Sequence, residues 1–324
     1  MSRSFPEQRR SFPKRSFRQA QPAPAPPPPV SDNPESDEER WTVKRLLVWT
    51  TDYLKTKHAE SPRLDAEVLL AHVLGWSRVQ LYTGYDQEPD PVKRAAFKDL
   101  VKQRAAGAPV AYLVGRKEFY ALALKVSPAV LIPRPDTETL VAEFLTRFKG
   151  KEAPRVLEIG TGSGAISLAI VSRHKSAQII ATDVSPEALA IAKENAVTLN
   201  LADRIEFRLG SLYEPVQGEP PFDAILSNPP YIPAEDIAGL EPGVRDYEPH
   251  LALSGGVDGL EIVRPIVAGA VNRLNPGGAL IVEIGSPQEQ PVRALFEAEP
   301  LLALEPTVRD AANHPRVVVA IRRS

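Results

Sequence analysis

Apolar positions between Trp41 and Gly107 recur at helical spacing. Val43, Leu46, Leu47, Thr50 and Leu54 stand three and four residues apart, which puts them on one face of a helix. Ser61-Pro62 opens a second helix through Leu64, Val68, Leu69 and Leu74 that stops at Gly75, and Asp90-Pro91 opens a third that stops at Gly107. Three short helices make a small bundle, suited to recognition rather than to housing a catalytic centre alone. Residues 111–133 alternate instead, with Leu122, Leu124 and Val126 on one face, and predict a β-hairpin linker that ends at Pro133-Arg134-Pro135. Asp136 is placed to cap the helix that follows, through Leu140, Val141, Phe144 and Leu145.

From Arg155 the pattern changes again. Short apolar runs (155–159, 178–182, 205–209, 222–227) predict strands, and Ala165–His174 and Pro186–Leu199 predict helices between them. A helix over Gly259–Leu274 and strands at Leu280–Ile284 and Val317–Ile321 follow, with Pro265 requiring that helix either to start later or to kink. Repeated βαβ units imply an α/β domain with a mostly parallel sheet covered by helices on both faces. The expected organisation is a tail over 1–40, a helical domain over 41–110, a hairpin linker over 111–133 and the α/β domain over 134–324.

Composition narrows the function. The chain has no cysteine, which excludes disulfides, thiolate zinc sites and cysteine nucleophiles and agrees with a reducing, cytoplasmic setting. No two of the five histidines share a helix at metal-binding spacing, so no metal site is expected. No run of about 18 apolar residues is present to cross a bilayer. Residues 1–18 carry six cations against one acid, then come the prolines of 22–29 and the acids of 32–39, a composition that cannot bury a core and predicts disorder. An RNA-binding arm and a transit peptide are the alternatives, the latter opposed by Pro6 and Pro13. Seven of the 39 cations and six of the 41 acids lie in the first 40 residues, so the remainder is slightly acidic and stable nucleic-acid binding by the folded part is not expected.

Chemistry concentrates at three strand ends. After the first parallel strand comes Glu158-Ile159-Gly160-Thr161-Gly162-Ser163-Gly164-Ala165, a glycine loop through which backbone can approach a ligand closely. After the second comes Asp183, where an acid can accept the hydroxyls of a ribose, although it can also assist Ser185 in capping the next helix. Both features suit NAD as well as S-adenosylmethionine. After the fourth strand comes Asn228-Pro229-Pro230-Tyr231, in which Pro229 holds Asn228 extended and fixes the direction of its side-chain amide.

That motif looks like the one used by methyltransferases that act on a planar nitrogen, adenine N6 or glutamine N5. The segments Arg63-Leu64-Asp65-Ala66-Glu67-Val68-Leu69-Leu70, Pro109-Val110-Ala111-Tyr112-Leu113-Val114-Gly115, Leu131-Ile132-Pro133-Arg134-Pro135-Asp136-Thr137-Glu138 and Val244-Arg245-Asp246-Tyr247-Glu248-Pro249 resemble the HemK/PrmC family of release factor glutamine methyltransferases, from about residue 43 to the C-terminus. The resemblance implies a seven-stranded, Rossmann-like class I methyltransferase domain behind a helical substrate-docking domain. It further implies S-adenosylmethionine as donor and the Gly-Gly-Gln glutamine of class 1 release factors as acceptor. Gly160, Thr161, Gly162, Ser163 and Gly164 would line the methionine moiety, Asp183 the ribose, and Ser211 and Leu212 the adenine. The usual acid before the bulky residue is replaced there by Ser211.

An amide nitrogen is a poor nucleophile because its lone pair is delocalised, so its transfer chemistry depends on orientation and on acceptors for its N–H groups. Asn228 and the Pro229 carbonyl would supply those acceptors, with Pro230 and Tyr231 completing the substrate contact, and the late proton loss going to water. Adenine N6 methylation of nucleic acid and glutamine methylation of a ribosomal protein are the alternative activities.

Overall fold

In the computed structural model residues 40–324 are described. All but the last residue of the tail expectation for 1–40 therefore lies outside the described residues. The helical region contains α1 (Val43–Thr56), α2 (Pro62–Leu74), α3 (Arg78–Thr83), α4 (Pro91–Ala105) and α5 (Val110–Val114). Thr42 and Asp90 cap α1 and α4 through their side chains, Ser77 and Gln80 form a capping box on α3, and Gly75 ends α2 in the left-handed region. Val43, Leu47, Leu69, Leu70, Leu81, Phe97 and Val101 fill the small core between them. A buried Glu67 ties α2 to α3 by accepting from Arg63 at 2.7 Å, from Arg78 at 2.7 Å and from Tyr82.

The linker differs from its sequence pattern at one end. Residues 110–114 form α5, because Val110, Leu113 and Val114 pack back onto the helical core, and the hairpin is confined to β1 (Arg116–Phe119) and β2 (Leu122–Lys125). Asp136 does not cap α6 (Glu138–Arg147). Its carboxylate pairs with Arg316 at 2.9 Å, and no side chain caps that helix.

The α/β domain continues with β3 (Arg155–Ile159), α7 (Ala165–Arg173), β4 (Gln178–Asp183), α8 (Pro186–Thr198), β5 (Ile205–Leu209) and β6 (Phe222–Ser227). After a long excursion holding the single turns α9 (Pro242–Arg245) and α10 (His250–Leu253) come α11 (Val263–Ala270), β7 (Leu274–Glu283), α12 (Glu289–Glu297), β8 (Leu302–Leu304), β9 (Val308–Arg309) and β10 (Pro315–Arg322). The 259–274 helix is thus corrected to Val263–Ala270, which places Pro265 in its first turn, where a missing N–H leaves no bond unmade. Leu274 already belongs to β7, pairing with Phe222. The sequence pattern also left out α3, α12, β8 and β9.

Seven strands run in the order β5-β4-β3-β6-β7-β10-β8, with the two-residue β9 sharing the outer edge of β10. Pairs from β5 to β7 are parallel, and β10 is antiparallel to its neighbours. Two apolar layers, one around Leu140, Phe144, Leu168 and Ile170 and the other around Phe222, Ile266, Leu280 and Phe296, sandwich the sheet. Successive strands leave β3 in one direction and β6 in the other. This reversal opens a crevice at the carboxyl ends of β3 and β6, the place where open α/β sheets bind ligands. No described helix is long and apolar enough to cross a membrane.

Candidate active site

The glycine loop leaves β3 at that crevice. Gly160 and Thr161 donate to the Thr182 carbonyl at 2.9 and 3.0 Å, which staples the loop to the end of β4. Gly162 sits at φ +55° and gives its N–H to Asp183 Oδ2 at 2.8 Å, a conformation that an L side chain rarely adopts. Gly164, at φ +83°, lets α7 begin against α8: a Cβ there would stand 3.1 Å from the Leu168 side chain and 3.3 Å from that of Ala192. It lies outside the lining of the cleft.

Asp183 serves two neighbours at once. Oδ2 takes Gly162 N–H and Oδ1 takes Ser185 N–H at 3.0 Å, while Ser185 itself caps α8 by accepting from Ala188. Each carboxylate oxygen retains a lone pair for a further donor. Asn195, buried on α8, was not singled out by the sequence. Its Nδ2 donates to the Ser163 and Lys125 carbonyls at 2.9 and 3.0 Å and its Oδ1 accepts from Lys125 N at 2.7 Å, so it anchors the glycine loop to the hairpin.

One cleft is lined by Gly160, Thr161, Gly162, Ser163, Asp183, Ser211, Leu212, Asn228 and Pro230, which the sequence placed in the site. Ser211 and Leu212 do reach it. The nearby acid Glu214 does not line the cleft and accepts from the Ser211 backbone N–H at 3.3 Å. The cleft also gathers groups from segments distant in the chain, including Val130 from the linker, Arg134 just after it, and Leu251 and Ser254 from the excursion after β6. Glu248, buried, accepts from Ile132 N at 3.2 Å and from Arg134, which locks these two segments together. Tyr112 adds a bond to the Val130 carbonyl at 2.6 Å.

Asn228 leaves the end of β6, the strand paired directly beside β3. Its Nδ2 donates to Thr137 Oγ1 at 3.2 Å. Pro229 is buried, and Pro229 and Tyr231 lie outside the lining of the cleft. The Tyr231 carbonyl accepts from Gln288 Nε2 at 2.8 Å, its ring lies against Gly285, and burial together with the Glu283 carboxyl pushes its phenol up to about 12.

Two buried acids were missed as functional groups. Glu158 is 1% exposed, accepts from Thr161 at 2.9 Å and from Ser167, and keeps Oε1 without a partner among the described residues. Glu283 ends β7 in similar isolation. Each interrupts an otherwise apolar run, Val156-Leu157-Glu158-Ile159 and Leu280-Ile281-Val282-Glu283-Ile284, and an acid inside a strand covered on both faces was the available signal.

Burial pushes Glu158 up to about 7, opposed by its hydroxyl partners. A folded value above the unfolded value near 4.5 means that its stabilising contribution is complete below about 4.5 and is lost as pH rises through 7. The ligand-free protein is therefore expected to melt progressively lower between pH 5 and 8, and Glu158→Gln to flatten that slope by about 5 °C. Calorimetric scans of both proteins across that range check it, and parallel slopes would show Glu158 to be ionised throughout.

A glycine loop after the first parallel strand, an acid after the second and Asn-Pro-Pro-Tyr at the switch point define a class I methyltransferase domain carrying a small helical domain at its N-terminus. The fold agrees with that of the hMettl16 catalytic domain, solved in complex with MAT2A 3′UTR hairpin 6, at a TM-score of 0.52 and 17% identity over 68% of this chain and 81% of that one. Residues 45–115 match the PrmC N-terminal domain and residues 135–238 the methyltransferase small domain. The chain is 44% identical to the release factor glutamine methyltransferase of Rhodopirellula baltica over 87% of its own length and 97% of that protein's. With the Geobacter sulfurreducens enzyme of the same name it shares 45% identity over 80% and 89% of the two lengths. The chain belongs to the release factor glutamine methyltransferase family.

Proposed function

We propose that this protein transfers the methyl group of S-adenosylmethionine to the N5 nitrogen of the glutamine in the Gly-Gly-Gln motif of class 1 release factors. The observation that carries the reading is Asn228. Its side-chain amide stands at the cleft with Nδ2 held by Thr137, which leaves Oδ1 to accept an N–H from a substrate amide.

S-adenosylmethionine supplies an electrophilic methyl group on a sulfonium sulfur. The cleft suits it on this protein's own terms. The unpartnered Oε1 of buried Glu158 can take an ammonium group beside the glycine loop, and Asp183 can take ribose hydroxyls with its remaining lone pairs. Leu212 and Ile262 offer apolar surface to a flat base.

On the acceptor side the Pro229 carbonyl would take the second N–H, with Pro230 walling the amide. Two acceptors on one NH2 group orient its nitrogen and draw off the positive charge that develops there, and no general base is needed before methyl transfer. The helical residues 41–110, with exposed Leu64, Val79 and Val92, would hold the release factor.

Labelled methyl donor offered to an intact release factor should label it, and a release factor with the Gly-Gly-Gln glutamine changed to alanine should stay unlabelled. Label in that control, or preferential labelling of a ribosomal protein or of adenine in nucleic acid, would reject the substrate assignment.

A further inference from the structure

Two consecutive prolines make the turn after β6 rigid only up to a point. Asn228 and Pro229 each precede a proline and are thereby held extended, but ψ of Pro230 is free to send the chain either way. The Tyr231 carbonyl is the first group past that joint, and it is caught. Gln288 Nε2 donates to it at 2.8 Å and to the Gly259 carbonyl at 3.3 Å, while Gln288 Oε1 accepts from Gly285 N–H at 3.3 Å. Two carbonyls on one side and an N–H on the other allow the Gln288 amide a single orientation. Gln288 stands at the start of α12, whose Val292 and Phe296 are buried in the core, and it does not line the cleft.

Tyr231 and Gly259 stand near the two ends of the excursion between β6 and α11, so this one side chain closes its neck. The approach is tight. A Cβ on Gly259, at φ +75°, would lie 2.4 Å from the Tyr231 carbonyl oxygen and 2.5 Å from Gln288 Nε2. Just inside the neck, Ile232 N–H donates to the Leu253 carbonyl, Gly255 N–H to the Ile232 carbonyl and Ala234 N–H to the Gly256 carbonyl, each at 2.9 Å. These bonds run beside Leu251, Ala252 and Ser254, which line the same cleft as Asn228 and Pro230. On the other side of that stretch Glu248 is tied to Ile132 and Arg134. The cleft-lining residues thus lie between two fixed points, Glu248 and the neck.

We infer that Gln288 is a positioning residue for the methyl transfer: by clasping Tyr231 to Gly259 it holds the 249–254 wall of the cleft beside the Asn228 turn. This rests on the acceptor role proposed for that turn. Without the clasp the wall keeps Glu248, but its base follows the free ψ of Pro230, and the acceptor amide is presented in line with the methyl group less often. The glycine loop and Asp183 are carried by β3 and β4, so donor contacts there do not pass through the neck.

Gln288→Met keeps the length of the side chain and removes both of its hydrogen-bonding ends. Hydrogen exchange of the full chain, read by mass spectrometry, should quicken at residues 232–234 and 253–256 and stay unchanged in β3 and β6. In single turnovers with prebound donor and intact release factor, the rate constant should fall about 10-fold at full amplitude, with the donor dissociation constant within about twofold. A protein that is merely less stable would lose amplitude and keep its rate constant. Gly259→Ala opens the neck from the opposite side and should give the same signature, and the double variant should lose little more, because both changes act on one contact. Unchanged exchange at 253–256 in Gln288→Met, or a lost amplitude with an unaltered rate constant, would overturn the inference. A wild-type protein that leaves release factor unlabelled would instead reject the substrate proposed above, and the role of Gln288 with it.

Discussion

Asn228→Ala is expected to lower methyl transfer to intact release factor by about 10²- to 10³-fold, the usual cost of losing one preorganised acceptor or donor at a reacting group. The prolines that follow it stay, so the turn after β6 keeps its course. Thr137, which also lines the cleft, loses a partner that donates across 3.2 Å. Donor binding should move by less than about threefold, which separates a defect in acceptor orientation from a damaged cofactor site. Single-turnover rates with prebound donor, set beside calorimetric dissociation constants, measure the two effects. Near wild-type turnover would show that another group orients the amide.

Asp183→Ala should have the opposite signature. Its carboxylate both offers lone pairs to ribose hydroxyls and holds Gly162 N–H and Ser185 N–H, so its removal empties a ligand contact and loosens the loop that shapes the cleft. Hydrogen bonds to a charged group contribute about 1.5–3 kcal/mol each, and loss of the ribose contact alone predicts donor binding weaker by about 10²-fold. At saturating donor the rate should recover much of its value, since Asn228 is untouched. Calorimetry of donor binding decides it, with a thermal scan to establish that the variant folds. An unchanged dissociation constant in a folded protein would assign Asp183 to the loop staple only.

The contrast between these two variants follows from where their residues sit. Asp183 and the glycine loop were legible because a short turn after a parallel strand needs glycine, and an acid at the next strand end is local in sequence. Asn228 was legible because two prolines declare a rigid turn. Thr137, Glu158 and Glu283 were not singled out for their roles. Glu158 and Glu283 interrupt apolar runs, but nothing local says which groups a buried acid will meet, as Glu158 meets the hydroxyls of Thr161 and Ser167.

What the sequence by itself determined is everything set by short-range geometry: the helical and βαβ periodicities, the strand-end motifs and hence the class of reaction. Its errors lie where a long-range contact overrides a local preference. Packing of Leu113 and Val114 onto the helical core turns an alternating stretch into α5, and Arg316, from the far end of the chain, takes the Asp136 carboxylate that would otherwise cap α6. Only the tertiary structure decided which distant segments meet at the cleft, because contacts such as the pairing of Glu248 with Arg134 and the hydrogen bond from Asn228 to Thr137 exist only once those segments are side by side. Hydrogen-bond polarity belongs to a closed set of partners, and no one segment contains the set.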